Sequence, residues 1–419
     1  MSAERVLHSV TCLGCGCGCD DLTVRVRGGR IAGLAPPCPL AQRWFGDGTV
    51  PQAISIAGRP ATLGHAIEAA VSVLRTANRP MVIIAPDLTT EAQRTAIAVA
   101  DVLRAEADGA TSDSAAAGIL AAQRRGRAAA TLGEIRNRAD VVLFWAVDPT
   151  ARYPRYLERY AAAASATHAD RRALLAVSVG EDRGPAGAEI EADFAPDEEV
   201  DALAVMLATV RGRPLGEVAP PFQRAVALAE RLLRGRYVAI VHDAEEAGPA
   251  GGDGQRTESL VALAQALNGP TRAALSSLRA GGNRSGAEAA LTWQTGYPMR
   301  VSFRDGSPRS RPGRSGLDRL SAGGADAVLI AGSAGALADL GPVPGRVPSV
   351  VVGPGASRVS GAGVAIDTGV AGIHEAGTGY RMDDVPLPLT AVVEGVRTAV
   401  ETLSLLLGAL RVPPRGSDG

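Results

Sequence analysis

Lysine is absent: all 43 basic residues are arginine, against 44 acidic ones, for a net charge of −1. The absence excludes Schiff-base and lysine-nucleophile chemistry, and the balanced charge gives no footing for a polyanionic partner such as nucleic acid. An Arg-, Ala- and Gly-rich composition of this kind is what GC-rich coding produces. Long apolar runs are missing too. The stretch 139–147, ADVVLFWAV, ends well short of the roughly 20 residues that span a bilayer, and the N-terminus lacks the apolar core of a signal peptide. The expectation is a cytoplasmic chain with no membrane partner. Cysteine is scarce, with five in 419 residues. An odd number bunched at one end does not make a secreted disulfide framework, and in a reducing compartment such a cluster more often binds metal. No repeat of fixed period is evident, and 46% hydrophobic content leaves room for two or three subdomains.

What is present is concentrated in TCLGCGCGCDD, residues 11–21. Cys12, Cys15, Cys19 and Cys38 follow C-x2-C-x3-C, then a longer gap, then the fourth thiol. Three ligands so spaced fit one tight loop around an iron–sulfur cubane, with the fourth from a neighbouring turn. Gly14, Gly16 and Gly18 let the backbone bend around it. Zinc is the competing occupant, since four thiolates also satisfy a tetrahedral site, and an empty cysteine loop is the third reading. Residues 21–34 alternate apolar and polar and turn at Gly28-Gly29, which predicts a hairpin that folds Cys38 back toward the first cysteines.

From about residue 60 the pattern changes to short apolar runs at 81–85, 141–147, 174–179, 237–241, 273–278, 327–331 and 350–352. Helical periodicity covers 63–78, 91–105, 197–211, 222–234 and 258–268, with Thr90 and Gln93 in a capping-box pattern. Runs apolar on both faces that alternate with helices predict an α/β fold of mostly parallel sheets covered by helices. The division expected is a cysteine-loop and hairpin domain at 1–58, an α/β body of two or more interleaved subdomains at 59–411 and a disordered tail at 412–419.

The N-terminal plan resembles the molybdopterin-dependent oxidoreductases, and more closely the B subunit of formylmethanofuran dehydrogenase. The segments that carry the resemblance are CLGCGCGCDDLTV, TLGEIRNRADVVLFWAVDPTARYPRY (131–156), RAGGNRSGAEAALTWQTGYP (279–298), GADAVLIAGSAGA (324–336) and GTGYRMDDVPLPL (377–389). The resemblance implies a molybdopterin oxidoreductase-like body, with one four-iron four-sulfur cluster beside a tungsten or molybdenum bis-pterin whose metal takes a body cysteine. No cysteine remains in the body: Ser114 is the best match for that ligand, and Ala115 stands where a histidine is expected. A hard alkoxide does not replace a soft thiolate silently. Ser333-Ala334-Gly335 stands where Ser-Asp-Pro is usual, and Asp148 replaces an Asn, putting a carboxylate into a pocket shaped for nucleotide phosphates.

Those departures favour a relative of the family found in methylotrophic bacteria, the formyltransferase/hydrolase complex of one-carbon metabolism, which moves a formyl group without redox chemistry. Its B-like subunit is a non-catalytic scaffold among zinc amidohydrolase-like, β-helix-like and formyltransferase-like chains, and the tungsten or molybdenum pterin is expected to be missing. The alternative is a working tungsten or molybdenum formylmethanofuran dehydrogenase subunit with a serine ligand. Asn283, Gly286 and Ser333 are read as lining a vestigial pterin pocket, with a plain turn as the competing reading for the first two. Gln294, Thr295 and Tyr380 fall in family motifs. Arg304, Arg309, Arg311 and Arg314 sit in FRDGSPRSRPGRS (303–315) with a single Asp. They form either a solvated loop or a clamp for the polyglutamate tail of a methanofuran-like carrier. The histidines His8, His65, His168, His242 and His374 show no paired metal spacing and are read as structural.

Overall fold

The computed structural model describes residues 4–162, 172–245, 254–311, 313–333 and 343–413. His168, Ala334-Gly335 and most of the expected tail lie outside the described residues. In chain order the strands are β1 (Glu4–Val10), β2 (Leu22–Arg27), β3 (Arg30–Ala35), β4 (Ile54–Ile56), β5 (Arg59–Pro60), β6 (Pro80–Ile84), β7 (Glu106–Gly109), β8 (Val141–Trp145), β9 (Ala173–Val179) and β10 (Glu189–Phe194). They continue as β11 (Tyr237–Asp243), β12 (Arg272–Leu278), β13 (Val301–Ser302), β14 (Arg309–Ser310), β15 (Ala327–Ala331), β16 (Ser349–Gly353), β17 (Val364–Asp367), β18 (Gly377–Tyr380) and β19 (Pro386–Leu389). The chain makes two interleaved compact units, one of residues 1–14, 18–112 and 281–419, the other of residues 15–17 and 113–280.

In the larger unit a nine-stranded sheet runs β14-β13-β7-β6-β15-β16-β17-β4-β5. Its five central strands are parallel and its edges antiparallel. Because successive side chains of a strand face opposite ways, Val82, Ile84, Leu329, Ala331, Val350 and Val352 pack on one face against the helices Leu63–Arg75, Thr90–Val102 and Ala399–Arg411. Met81, Ile83, Val328, Ile330 and Val351 fill the other face around Leu320. Burial of each such side chain contributes about 1.5–3 kcal/mol, which is why these strands read as unbroken apolar runs. The small sheet β1-β2-β3 is antiparallel, and β2 alternates buried Leu22, Val24 and Val26 with more exposed partners.

The smaller unit holds a five-stranded sheet, β10-β9-β8-β11-β12, parallel throughout. Leu143, Trp145, Leu175, Val177, Val238 and Ile240 meet the helices Glu199–Val210, Pro220–Leu233 and Gly254–Leu267 on one face.

One local reading is corrected. The N-cap of the helix Thr90–Val102 is Thr89, whose hydroxyl accepts from Ala92 N at 3.2 Å, so Thr90 and Gln93 make no capping box. Gln93 is instead fully buried and donates to Asn283 O at 2.9 Å. The capping box the chain does contain is Thr398 with Glu401, at the start of the helix Ala399–Arg411.

Candidate functional site

All five cysteines are buried thiols, with no disulfide between them. Within the larger unit Cys12 N donates to Cys19 O at 2.8 Å, closing the neck of the loop, and Gly14 N reaches Cys12 Sγ at 3.2 Å. Gly14 is required there, since a Cβ would fall 2.6 Å from Leu40 O. Gly18 holds φ +49°, in the left-handed region that favours glycine. Cys38 is the N-cap residue of the helix Pro39–Phe45 but makes no side-chain cap. In the smaller unit Tyr160 Oη donates to Cys17 O at 3.3 Å. The Cys15 thiol is drawn below its ordinary range by hydrogen bonds to Cys17, against the opposing effect of burial. Five buried thiols are the right donors for an iron–sulfur cluster or zinc. Among the described residues, however, no group of three or more His, Cys, Asp or Glu is arranged to hold a metal ion. The donor chemistry fits and the placement does not, so no chemical step is routed through this loop.

Open parallel sheets bind ligands outside the carboxyl ends of their strands, where the strand order reverses. In the larger unit that switch lies between β6, which leads to β7, and β15, which leads to β16 and β17 on the other side. Asp87 follows β6 and is buried, and its Oδ1 accepts from Ser333 N, just beyond β15, at 2.9 Å. Burial raises its pKa from 3.8 to about 6. Next to it along the chain, the Thr89 hydroxyl donates to Glu375, whose other oxygen accepts from Ala399 N at 2.6 Å and Val400 N at 3.2 Å. Burial pushes Glu375 up as well. Glu91 holds Thr378 through its backbone N at 2.9 Å and its hydroxyl at 2.8 Å.

Asn283 is fully buried and its amide is spent inside the chain. Nδ2 reaches Thr90 Oγ1 at 3.0 Å, Leu88 O at 3.1 Å and Gln93 Oε1 at 3.2 Å, and Oδ1 accepts from Tyr380 N at 2.7 Å. Gly286 makes the room, because a Cβ there would overlap the Asn283 side chain. Thr295 is buried and bonds Leu291 O at 2.6 Å, Gln294 reaches Arg94 O at 3.3 Å, and Tyr380 meets the exposed Trp293 edge-on at 5.8 Å.

In the smaller unit the order reverses between β8 and β11. Asp243 closes β11, and its Oδ2 takes Arg152 Nη1 at 2.7 Å and Tyr153 Oη at 2.9 Å, both from the segment after β8. Burial and the Asp243 charge push the Tyr153 phenol far above its ordinary range. Glu245 N donates to Asp243 Oδ1 at 2.9 Å, and the Glu245 carboxylate holds Arg279 Nε at 3.1 Å and Ala280 N at 2.9 Å. His242 is buried against Ser277 Oγ at 2.9 Å, and desolvation lowers its pKa to about 4, so it is neutral. Among the other histidines, His374 is fixed between Gly48 O and Val370 N, while His8 and His65 are exposed.

Ser114 lies in the first turn of the helix Ser112–Arg125 rather than ahead of it, half-buried, with Ala115 buried behind it. Asp148 is exposed and makes an Asx turn, accepting from Thr150 N at 2.9 Å and Thr150 Oγ1 at 2.7 Å. The basic loop leads from β13 into β14, which pairs with it antiparallel. Arg304 turns inward to Glu106 at 3.6 Å, Arg309 meets Asp305 at 3.1 Å with both side chains mostly exposed, and Arg311 and Arg314 are exposed. Asp87, Asp243 and Glu245 are not among the residues that sequence reasoning marks, although an acid directly after an apolar run is a visible signal in APD and VHD.

None of the protein families described by sequence profiles matches the chain. Two curated proteins do, along nearly their whole length. The B subunit of the tungsten-containing formylmethanofuran dehydrogenase 2 of Methanocaldococcus jannaschii is 28% identical, and that of Methanococcus maripaludis 25%, each match covering 96% of this chain and 98% of the other. Among solved structures, a chain of the formyltransferase/hydrolase complex (FhcABCD) from Methylorubrum extorquens, crystallised with methylofuran, superposes with a TM-score of 0.72 at 26% identity. The match covers 85% of this chain and 98% of that one. In sequence along nearly its whole length, and in fold over 85% of it, this chain is therefore similar to the B subunit of formylmethanofuran dehydrogenase and to a chain of the formyltransferase/hydrolase complex.

Proposed function

We propose that this chain is the non-redox, structural B subunit of a formyltransferase/hydrolase complex in one-carbon metabolism. The observation that carries the reading is the cysteine count: the five thiols all lie between residues 12 and 38, and the body offers Ser114 and Ala115 where a tungsten or molybdenum centre would need a soft ligand and a proton carrier. The likeness to a chain of a complex that transfers and hydrolyses formyl groups supports the same choice over the dehydrogenase. On this reading the formyl chemistry belongs to partner subunits, a zinc amidohydrolase-like, a β-helix-like and a formyltransferase-like chain, and the complex works in the cytoplasm. Among the described residues no helix is long and apolar enough to cross a membrane.

The cysteine loop then has a holding role. A four-iron four-sulfur cluster on Cys12, Cys15, Cys19 and Cys38 would tie the N-terminal segment down; the number and burial of the thiols support that assignment, while their placement does not. The exposed Arg309, Arg311 and Arg314 are the guanidiniums placed to meet a polyglutamylated methanofuran-like carrier, Arg309 in exchange for its pairing with Asp305, whereas Arg304 is half-buried beside Glu106.

The test is metal analysis of the anaerobically purified complex together with assays of formyl transfer, formyl hydrolysis and viologen-linked oxidation. Transfer and hydrolysis without tungsten or molybdenum are expected. Either metal near one per chain, with viologen reduction, would restore the dehydrogenase reading.

A further inference from the structure

A parallel sheet accepts a nucleotide or dinucleotide at its switch point because backbone N–H groups there are free and the field is positive. Neither condition holds in this chain. In the larger unit the amide just beyond β15, Ser333 N, is taken by Asp87 Oδ1 from the far side of the crevice at 2.9 Å. The carboxylate packs so close to the backbone that a Cβ on Gly332 would fall 2.6 Å from Asp87 Oδ1. In the smaller unit Asp243 draws Arg152 and Tyr153 across from the β8 side and takes Glu245 N. Glu245 in turn occupies Ala280 N and Arg279. Among the described residues, these donors at the two switch points are already bonded to the chain's own carboxylates, in both sheets and at corresponding points of the two topologies.

We infer that each unit closes its sheet crevice with a resident carboxylate, Asp87 in the larger and Asp243 in the smaller. By doing so the chain excludes phosphate-bearing nucleotide ligands, a pterin dinucleotide among them. An incoming phosphate would have to displace a buried carboxylate from its donors and then sit against it, like charge to like in a low-dielectric site. The residues present do not fit a nucleotide-bearing cofactor, and this holds whichever complex the chain joins. It also relocates the obstacle: exposed Asp148, held in its own turn with Thr150, is not the residue that closes the crevice.

The experiment titrates the chain, in its complex, with a fluorescent guanosine diphosphate and with inorganic pyrophosphate at pH 8 and low salt. Wild-type protein is expected to show no saturable binding up to about 1 mM, a range in which even weak phosphate contacts register. Asp243→Asn keeps an oxygen acceptor for Arg152 and Tyr153 while removing the charge, and should raise affinity by about tenfold or more. Asp87→Asn, in the other unit, is the independent second variant and should do the same. Saturation of the wild type in the micromolar range overturns the inference. So does a pair of variants that melt cooperatively yet bind no better than wild type. If neither variant folds, the wild-type titration alone decides. Formyl transfer and hydrolysis are assayed in parallel, so that a failure of the subunit reading is seen separately from a failure at the crevices.

Discussion

Asp87→Asn should make the protein more stable at pH 8 and leave it unchanged near pH 4. The wild-type carboxyl is buried, and desolvation raises its folded-state pKa from 3.8 to about 6. Between those values the folded chain keeps a proton that the unfolded chain has lost, so stability falls as pH rises through the window and is level above it. At about 1.4 kcal/mol for each tenfold in proton affinity, the gap amounts to about 3 kcal/mol by pH 8. Asparagine resembles the protonated acid: it keeps an oxygen for Ser333 N, now at 2.9 Å, and it never ionises. The variant should therefore gain about 3 kcal/mol over wild type at pH 8 and nothing at pH 4. Urea denaturation at several pH values, followed by tryptophan fluorescence and circular dichroism, reads the difference. Glu375 and Asp108 are also raised by burial and tilt both proteins in the same direction, so comparing variant with wild type isolates Asp87. A difference that stays constant from pH 4 to 8, or a variant less stable at pH 8, would refute the reasoning.

The remaining predictions follow from single contacts. Gly286→Ala places a Cβ on the Asn283 amide and should cost about 2–4 kcal/mol in the same denaturation assay; a neutral effect would mean that the amide is not the organiser its bonds make it. Cys38→Ser or Cys15→Ser should lower the melting temperature of the assembled complex without abolishing formyl transfer or hydrolysis, and complete loss of activity in an intact complex would make the loop catalytic. Replacing Arg309 and Arg311 together by Gln should weaken binding of a polyglutamylated carrier at low ionic strength, by less at high salt where the attraction is already screened; unchanged affinity at low salt returns the loop to a solvated surface. Ser114→Cys alone should yield no viologen-linked oxidation and no bound tungsten or molybdenum, because Ala115 remains and both crevices stay closed; appreciable activity would show that only the ligand had been lost.

All seven apolar runs in the sequence correspond to strands, because burial on both faces leaves an unbroken apolar signature. The three strands of the parallel ladders that carry no such signature, Glu106–Gly109, Glu189–Phe194 and Val364–Asp367, each contain or end on an acid. Glu106 and Asp108 stand inside a sheet because distant residues satisfy them: Arg319 donates to Glu106 at 2.6 Å, and Asp108 takes Arg300 N at 2.9 Å and Gly316 N at 2.7 Å, beside the local Ser112 Oγ at 2.8 Å. No local pattern encodes partners some 200 residues away. The helix Ser112–Arg125 is likewise unmarked at its start, since its first turn, SDSA, is as compatible with a turn as with a helix start. The motif around Asn283 and Gly286 marks both residues, but which of pocket lining or structural knot they form depends on Gln93 and Tyr380, again remote in sequence.

The same limit explains why the carboxylates of the crevices are not legible in the sequence. An acid after an apolar run is common, since any strand end must give way to a polar turn, and Asp87 or Asp243 alone would be explained that way. What separates them from ordinary turn acids is where their strands lie, and that is a property of sheet order, not of the local sequence. β6 and β11 are each the strand beside which the order reverses, and each acid bonds to the segment leaving the opposite strand of its switch rather than only to its own turn. Two sheets built from different stretches of chain arrive at this arrangement with different residues, a backbone amide in one case and an Arg–Tyr pair in the other. A turn explanation predicts bonds within a few residues, as Asp148 makes to Thr150. Bonds across the crevice are instead what the inferred closure requires, and together with the lack of a cysteine in the body they are the two features on which the proposed non-redox role rests.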